Sequence, residues 1–167
     1  NALREDIRAI EGVQAAETRV RAPALFDMPG MEEPATGEIF SLPEVGEPSV
    51  NQIYLVRGRL PAPGRRDEAV VLQSFVDAHS LEIGDTIAAT IYGGRETITV
   101  VGIALSPEHV YSIAPGQLVP DDRLYGVLWM GRDALAEAVN QECAFNEAVV
   151  RLSYGASEAA VTTALDE

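Results

Sequence analysis

Two histidines, one cysteine and a scatter of carboxylates are the side chains here with chemistry to offer. His109 sits in Ser106-Pro107-Glu108-His109-Val110-Tyr111, and Asp121 and Asp122 follow further along the same irregular stretch. Brought together, Glu108, His109, Asp121 and Asp122 would form a carboxylate–imidazole site for metal binding or general-base work, which would make the chain a hydrolase. The plainer reading is favoured: Glu108 and His109 are a surface polar pair, and Asp121-Asp122 opens a turn. No second histidine stands at ligand spacing, and neither His-Glu-x-x-His nor Asp-x-Asp-x-Asp occurs. His79 falls at the end of a short helical pattern, where a donor satisfies free carbonyls. Cys143, in Glu142-Cys143-Ala144-Phe145, has no neighbouring cation and reads as an inert buried thiol. As the single cysteine it excludes an internal disulfide framework and a Cys-based zinc site. No Gly-x-Ser-x-Gly elbow and no Gly-x-Gly-x-x-Gly loop is present. All twelve basic residues are Arg, so a lysine-bearing phosphate loop is excluded as well.

Residues that would bind rather than react lie in the same region. Tyr111, Ile113, Leu118 and Val119 are mixed with Pro115, Pro120, Asp121 and Asp122 between Tyr111 and Leu124. Exposed apolar side chains on a loop are candidate partner contacts; folded back, they would instead complete the core. Gly84-Asp85 before a strand reads as a turn, with Asp85 capping backbone amides.

Composition narrows the classes. Twelve basic and 26 acidic residues give 12 − 26 = −14. That balance argues against a nucleic-acid stripe and against docking on anionic headgroups. Hydrophobic residues make up 47%, which excludes a fully disordered chain. The 167 residues fit one domain or two small subdomains. No stretch approaches the roughly 18 apolar residues of a membrane span, and no signal peptide opens the chain. Asn1-Ala2 reads as a tag-cleavage scar, and Leu165-Asp166-Glu167 stops inside a helical pattern. The chain is therefore expected to be a segment cut from a longer protein.

Periodicity supplies the elements that must position these residues. Leu3, Ile7 and Ile10 form a helical stripe ended by Gly12, and Val13–Ala22 reads as one strand. Residues Asp27–Ser49 carry four prolines and five glutamates and read as a long acidic loop, with Glu38–Leu42 as a short strand. Ile53–Val56 and Glu68–Leu72 are strands, and Ser74 is placed to cap a helix reaching Ser80. Thr86–Tyr92 and Glu96–Leu105 make a hairpin around Gly93-Gly94. Its second arm has Ile98 and Val100 on one face and Val101 and Ile103 on the other, which suggests a strand of a small barrel or sandwich. Tyr125–Met130 is a strand holding Trp129, and Asp133–Asn140 is a helix with Asp133 at its N-terminal dipole. Asn146–Tyr154 is a strand, and Ser157 caps a last helix where Val161, Ala164 and Leu165 share a side. The expected class is α+β. Residues 1–52 and 106–167, the two chain ends, would form a split α/β sandwich, and residues 53–105 an inserted β-rich subdomain.

Taken in order, several segments resemble one family. They are Arg57-Gly58-Arg59-Leu60-Pro61, Asp67-Glu68-Ala69-Val70-Val71, Leu81-Glu82-Ile83-Gly84-Asp85-Thr86, Ile98-Thr99-Val100-Val101-Gly102-Ile103-Ala104, Ser106-Pro107-Glu108-His109-Val110-Tyr111 and Phe145-Asn146-Glu147-Ala148. The set is similar to the extracytoplasmic core domain of FtsX-like, or MacB-like, ABC transporter permeases, from about Leu3 to Glu167. The resemblance implies a porter-like sandwich with a β-rich insertion, standing outside the cytoplasmic membrane between the first two membrane helices. It implies a non-catalytic role: relaying ATP-driven helix motion to a substrate, a lipoprotein, a periplasmic adaptor or a cell-wall enzyme. It carries over no catalytic residue and no cofactor, since ATP would bind a separate cytoplasmic ATPase. The acidic loop at Asp27–Ser49 matches no signature of that family. A free-standing extracytoplasmic recognition domain is the further alternative, beside the Asp/Glu/His enzyme.

Overall fold

Glu68-Ala69-Val70-Val71-Leu72 has no alternation that would leave one side wet, and all five residues are buried. Tyr125–Gly131 behaves the same way along its whole length. The structure, a computed structural model, describes residues 2–110, 116, 118–140 and 145–166. Among them the elements are α1 (Ala2–Ala9), β1 (Val13–Arg19), β2 (Arg21–Asp27), β3 (Ala35–Leu42), β4 (Tyr54–Gly58), β5 (Glu68–Leu72) and α2 (Gln73–His79). There follow β6 (Thr86–Ile91), β7 (Gly94–Leu105), β8 (Tyr125–Gly131), α3 (Arg132–Ala138), β9 (Glu147–Leu152) and α4 (Glu158–Leu165).

Six strands close into a mixed barrel in the order β7-β5-β8-β3-β2-β6 and back to β7, and β4 adds to the far end of β7. The twelve-residue length of β7 makes closure possible. One edge pairs with β6 through residues 94–99 and with β4 through 102–105, while the other pairs with β5. β3–β8 and β5–β7 run parallel, and the other pairs antiparallel. Inside, Phe26, Ile39, Val71, Ile87, Ile98, Val100, Ile103 and Leu128 form the main core, closed by Phe75 of α2 and Leu135 of α3. Small residues at Ala22, Ala24, Ala69 and Ala89 leave room for the Phe26 and Phe75 rings. A second, smaller core on the other face of the sheet gathers Phe40, Val70, Leu72, Val127 and Trp129.

Residues 13–22 do not form one strand. β1 ends at Arg19, β2 begins at Arg21, and the two join different sheets. Among the described residues β1 pairs only with β9, antiparallel from Val13↔Leu152 to Arg19↔Glu147, so the two end segments do meet. The β-rich part, however, reaches beyond residues 53–105. The β6–β7 hairpin cannot cover both of its faces alone, and β2, β3 and β8 close the barrel around it. The acidic stretch is not all loop, because β3 takes Ala35–Leu42 out of it and pairs with β2 on one side and β8 on the other.

Smaller departures have local causes. In β7 a bulge pairs Ala69 with Val100 but Val70 with Gly102, so the alternation resets and Ile103 joins Ile98 and Val100 in one core. The hairpin turn is Tyr92-Gly93, at φ 47° and 82°, one residue earlier than Gly93-Gly94. Ser74 does not cap α2, whose N-cap is Leu72. Ser157 does cap α4, accepting from Ala160 N at 3.3 Å, though of Val161, Ala164 and Leu165 only Val161 is buried.

Glu68 is the buried charge of the barrel. It accepts from Arg59 Nη1 and Nη2 at 2.8 Å each and from Ala62 N at 2.9 Å, stapling the 59–62 connection to β5. The Arg59 hydrogen bonds hold its pKa at about 2 against burial, which pushes it up. A carboxyl whose pKa is lower folded than unfolded stabilises the fold above its ordinary value. That contribution is lost as pH falls through the folded value, here between about 4.5 and about 2. Urea midpoints measured across this window are expected to fall more steeply for the natural chain than for Glu68→Gln. Parallel curves would refute the assignment.

Candidate functional site

A single residue, Val20, separates β1 from β2, and the polar side chains of the molecule concentrate around it. Val20 is fully buried; its N–H donates to Ser41 Oγ at 2.8 Å and its carbonyl accepts from Ser41 N at 2.9 Å. On the other side, Asn146 stands in for a strand partner. Its Oδ1 accepts from Arg21 N and its Nδ2 donates to Arg21 O, both at 2.7 Å.

The two arginines flanking Val20 organise three glutamates. Arg19 donates from Nη1 and Nη2 to both oxygens of Glu108, at 2.7 and 2.8 Å, and from Nε to Glu147. Its guanidinium lies 4.4 Å above the centre of the Phe40 ring. Arg21 donates to Glu38 and, at 3.2 Å, to Glu147 Oε1. Tyr125 Oη donates to Glu38 Oε2 at 3.0 Å. His109 packs between Phe40 and Trp129, with ring centres at 5.2 and 6.0 Å, and its Nδ1 lies 3.3 Å from Ser106 Oγ.

Electrostatics fix the protonation states. Burial is the largest influence on Glu108 and pushes its pKa up, but the hydrogen bonds and charge of Arg19 outweigh it and leave the group below its ordinary value. Burial lowers the pKa of His109 despite Glu108, so the ring is neutral at pH 7. Burial, reinforced by Glu38, raises the phenol of Tyr125 and keeps it a donor. The charged groups of Arg19, Arg21, Glu38, Glu108 and Glu147 are engaged with one another, and Tyr125 donates to Glu38. That arrangement fixes geometry.

The four residues of the hydrolase reading are not brought together. Glu108 is taken by Arg19. Asp121 opens the turn before β8, its Oδ1 accepting from Arg123 N and its carbonyl from Leu124 N and Tyr125 N. Asp122 is exposed beside it. That turn meets β3 at Thr36, whereas His109 packs at Phe40; four strand residues, about 13 Å, separate the levels. Among the described residues no group of three or more His, Cys, Asp or Glu is placed to hold a metal ion. His79 packs edge-on against Phe75 at 4.5 Å, and its Nε2 lies 2.9 Å from Arg123 O. Asp85 accepts from Glu82 N at 2.8 Å, as a turn residue does. Of the candidate partner contacts, Leu118 and Val119 are 97% and 71% exposed, and Tyr111 and Ile113, like Cys143, lie outside the described residues. Sequence reasoning missed Arg19, Arg21, Glu38 and Glu147. Their partners lie 17 to 128 positions away, beyond any local spacing rule.

At the opposite end of the β1–β9 pair the ingoing and outgoing chain run side by side. Ser153 N donates to Gly12 O at 2.8 Å. Gly12 sits at φ 94°, and a Cβ there would come within 3.0 Å of Ala156 Cβ and 3.2 Å of Val161 Cγ2. The start of β1 and the start of α4 are thus in contact.

Neither a protein-family model nor a curated protein sequence matches the chain. Solved structures do. The periplasmic region of MacB from Actinobacillus actinomycetemcomitans is similar at a TM-score of 0.53 and 12% identity, covering 98% of this chain and 69% of that one. The extracellular domain of the noncanonic ABC-type transporter YknZ from Gram-positive bacteria is similar at 0.53 and 11%, covering 96% and 75%. At such identities the likeness is one of fold: this chain has the fold of the MacB periplasmic region.

Proposed function

We propose that the chain is the extracytoplasmic domain of a MacB-like, FtsX-like ABC transporter permease, and that it performs no chemistry itself. The observation that carries this reading is the contact of the ingoing and outgoing chain at Gly12, Ser153 and Ala156. In a fold shared with the periplasmic region of MacB and the extracellular domain of YknZ, such a root suits a domain entered from one membrane helix and left into another. No helix among the described residues is long and apolar enough to cross a membrane, so the spans would lie in flanking sequence. A cytoplasmic ATPase would drive them, and their motion would reach the domain through α1 and α4 as a body movement.

The outward partner, an adaptor, lipoprotein or cell-wall enzyme, would meet the far end of the barrel. On this reading its contacts would include the exposed Leu118 and Val119 and the turn at Asp121 and Asp122, with Tyr111 and Ile113 earlier in the same sequence stretch. The committed polar cluster at Arg19 favours a mechanical role over the hydrolase alternative.

The parent protein supplies the test. An apolar span of about 20 residues is expected just before Leu3, with three more after Glu167, and protease should reach this domain only from the extracytoplasmic side. A parent without spans, or a domain cleaved from the cytoplasmic side, would overturn the proposal.

A further inference from the structure

The two cores of the molecule have an uneven membership. They draw on β2 to β8, α2 and α3, with Val20 as the first contributor, and no residue of 2–19 or 145–166 belongs to either. The arm formed by α1, β1, β9 and α4 is attached to the barrel by other means. Arg19 of β1 grips Glu108, which follows β7, and Arg21 of β2 grips Glu147 of β9. Asn146 pairs with the Arg21 backbone. Arg132 of α3 donates to Thr18 O at 3.1 Å, and Ser49 donates from N and Oγ to Glu17 at 3.1 and 2.8 Å. Between the two bodies lies a cavity of about 20 Å³, lined by polar groups such as Glu17, Arg19 and Arg132 and by the apolar Val50, Trp129 and Val149, with room for one water. Seams closed by ion pairs, hydrogen bonds and a small apolar patch rather than a shared core are the ones at which bodies move relative to each other.

We infer that the arm turns on the barrel about Val20, and that the paired clamp Arg19–Glu108 and Arg21–Glu147 sets its resting angle. The bidentate geometry of Arg19 on Glu108 gives the clamp direction as well as strength. Motion entering at Gly12 and Ser153 would reach the barrel through this seam. The inference concerns the chain alone; its use in passing on membrane-helix motion rests on the permease reading above.

The test is a distance measurement between nitroxide labels on the full chain carrying Cys143→Ala. One label replaces Tyr154, fully exposed on the arm, and the other Tyr92, exposed at the β6–β7 turn. A control pair, Tyr92 and Ile83, stays on the barrel side, at the β6–β7 turn and in the α2–β6 connection that packs on Gly58 of β4. Arg19→Met, which keeps an apolar stem over Phe40, is expected to broaden the arm–barrel distribution at least twofold and leave the control pair unchanged. Glu108→Gln, the gentler change, is expected to act in the same direction and serves if Arg19→Met does not fold. Unchanged arm–barrel distances, or equal broadening of both pairs, would overturn the clamp. A parent protein without membrane spans would sink the permease reading and leave this result standing; unchanged distances would do the reverse.

Discussion

Replacing Phe75 with alanine is expected to lower the unfolding free energy by about 3–5 kcal/mol. Phe75 is fully buried on α2, and its ring plugs the barrel 5.8 Å from that of Phe26. It also carries the His79 ring on its edge and lies against Gly126, where a Cβ would come within 3.1 Å of three of its ring atoms. Strands of a closed barrel cannot move inward independently, so the space left by the ring would persist as a cavity. Domains commonly have only about 5–15 kcal/mol in total, so this one side chain decides a large fraction. Urea unfolding measures it, and a loss below about 1 kcal/mol would show that the ring is not the plug described. Phe75→Leu, which keeps most of the volume, should lose much less.

The second large effect concerns an added atom. Gly37 of β3 pairs with Gly126 of β8, and a Cβ on Gly37 would stand 2.0 Å from Gly126 O and 2.6 Å from Phe26 Cε2. The obstacle is mainly backbone, so no rotamer change can relieve it. Seven consecutive residue pairs, Thr36↔Tyr125 to Leu42↔Gly131, hold the two strands in register. Gly37→Ala must either part them or push Phe26 into the core. A loss of about 3 kcal/mol is expected, or about 6–12 °C in Tm for a domain of this size. A calorimetric Tm within about 2 °C of the natural chain would refute the close approach. Gly93→Ala is the contrasting control: nothing lies within 4 Å of its Cβ position, and only the positive φ is strained.

Particular residues show what was legible beforehand. Glu68–Leu72 and Tyr125–Met130 could be read as strands because each holds a short, largely apolar run, Ala69–Leu72 in the first. The β6–β7 hairpin showed in its alternation and its glycines. The doubly apolar pattern of β7 suggested a small barrel or sandwich, although a bulge at Val101-Gly102, invisible in any periodicity, decides which residues share its core. Which strands close the barrel was not legible, since β3–β8 and β5–β7 are parallel pairs set by packing at long range rather than by a turn. The Arg19 cluster was hidden for the same reason. Arg19 and Arg21 read as the wet side of one strand because nothing near them marks a change of sheet at Val20. The plainer reading describes Asp121 and Asp122, while Glu108, its carboxylate held by Arg19, and the half-buried His109 belong to that cluster.

The pairing of β1 with β9 alone also governs how the molecule is made. Among the described residues β1 finds its partner at 147–152, so a ribosome or a translocation channel delivers the first half of this ladder long before the second. The barrel, complete once residue 131 has emerged, can fold while β1 still waits. Assembly of this domain therefore finishes at the root: β9 joins β1 after the barrel strands, and a chain cut short before residue 147 would keep those strands but leave β1 without β9.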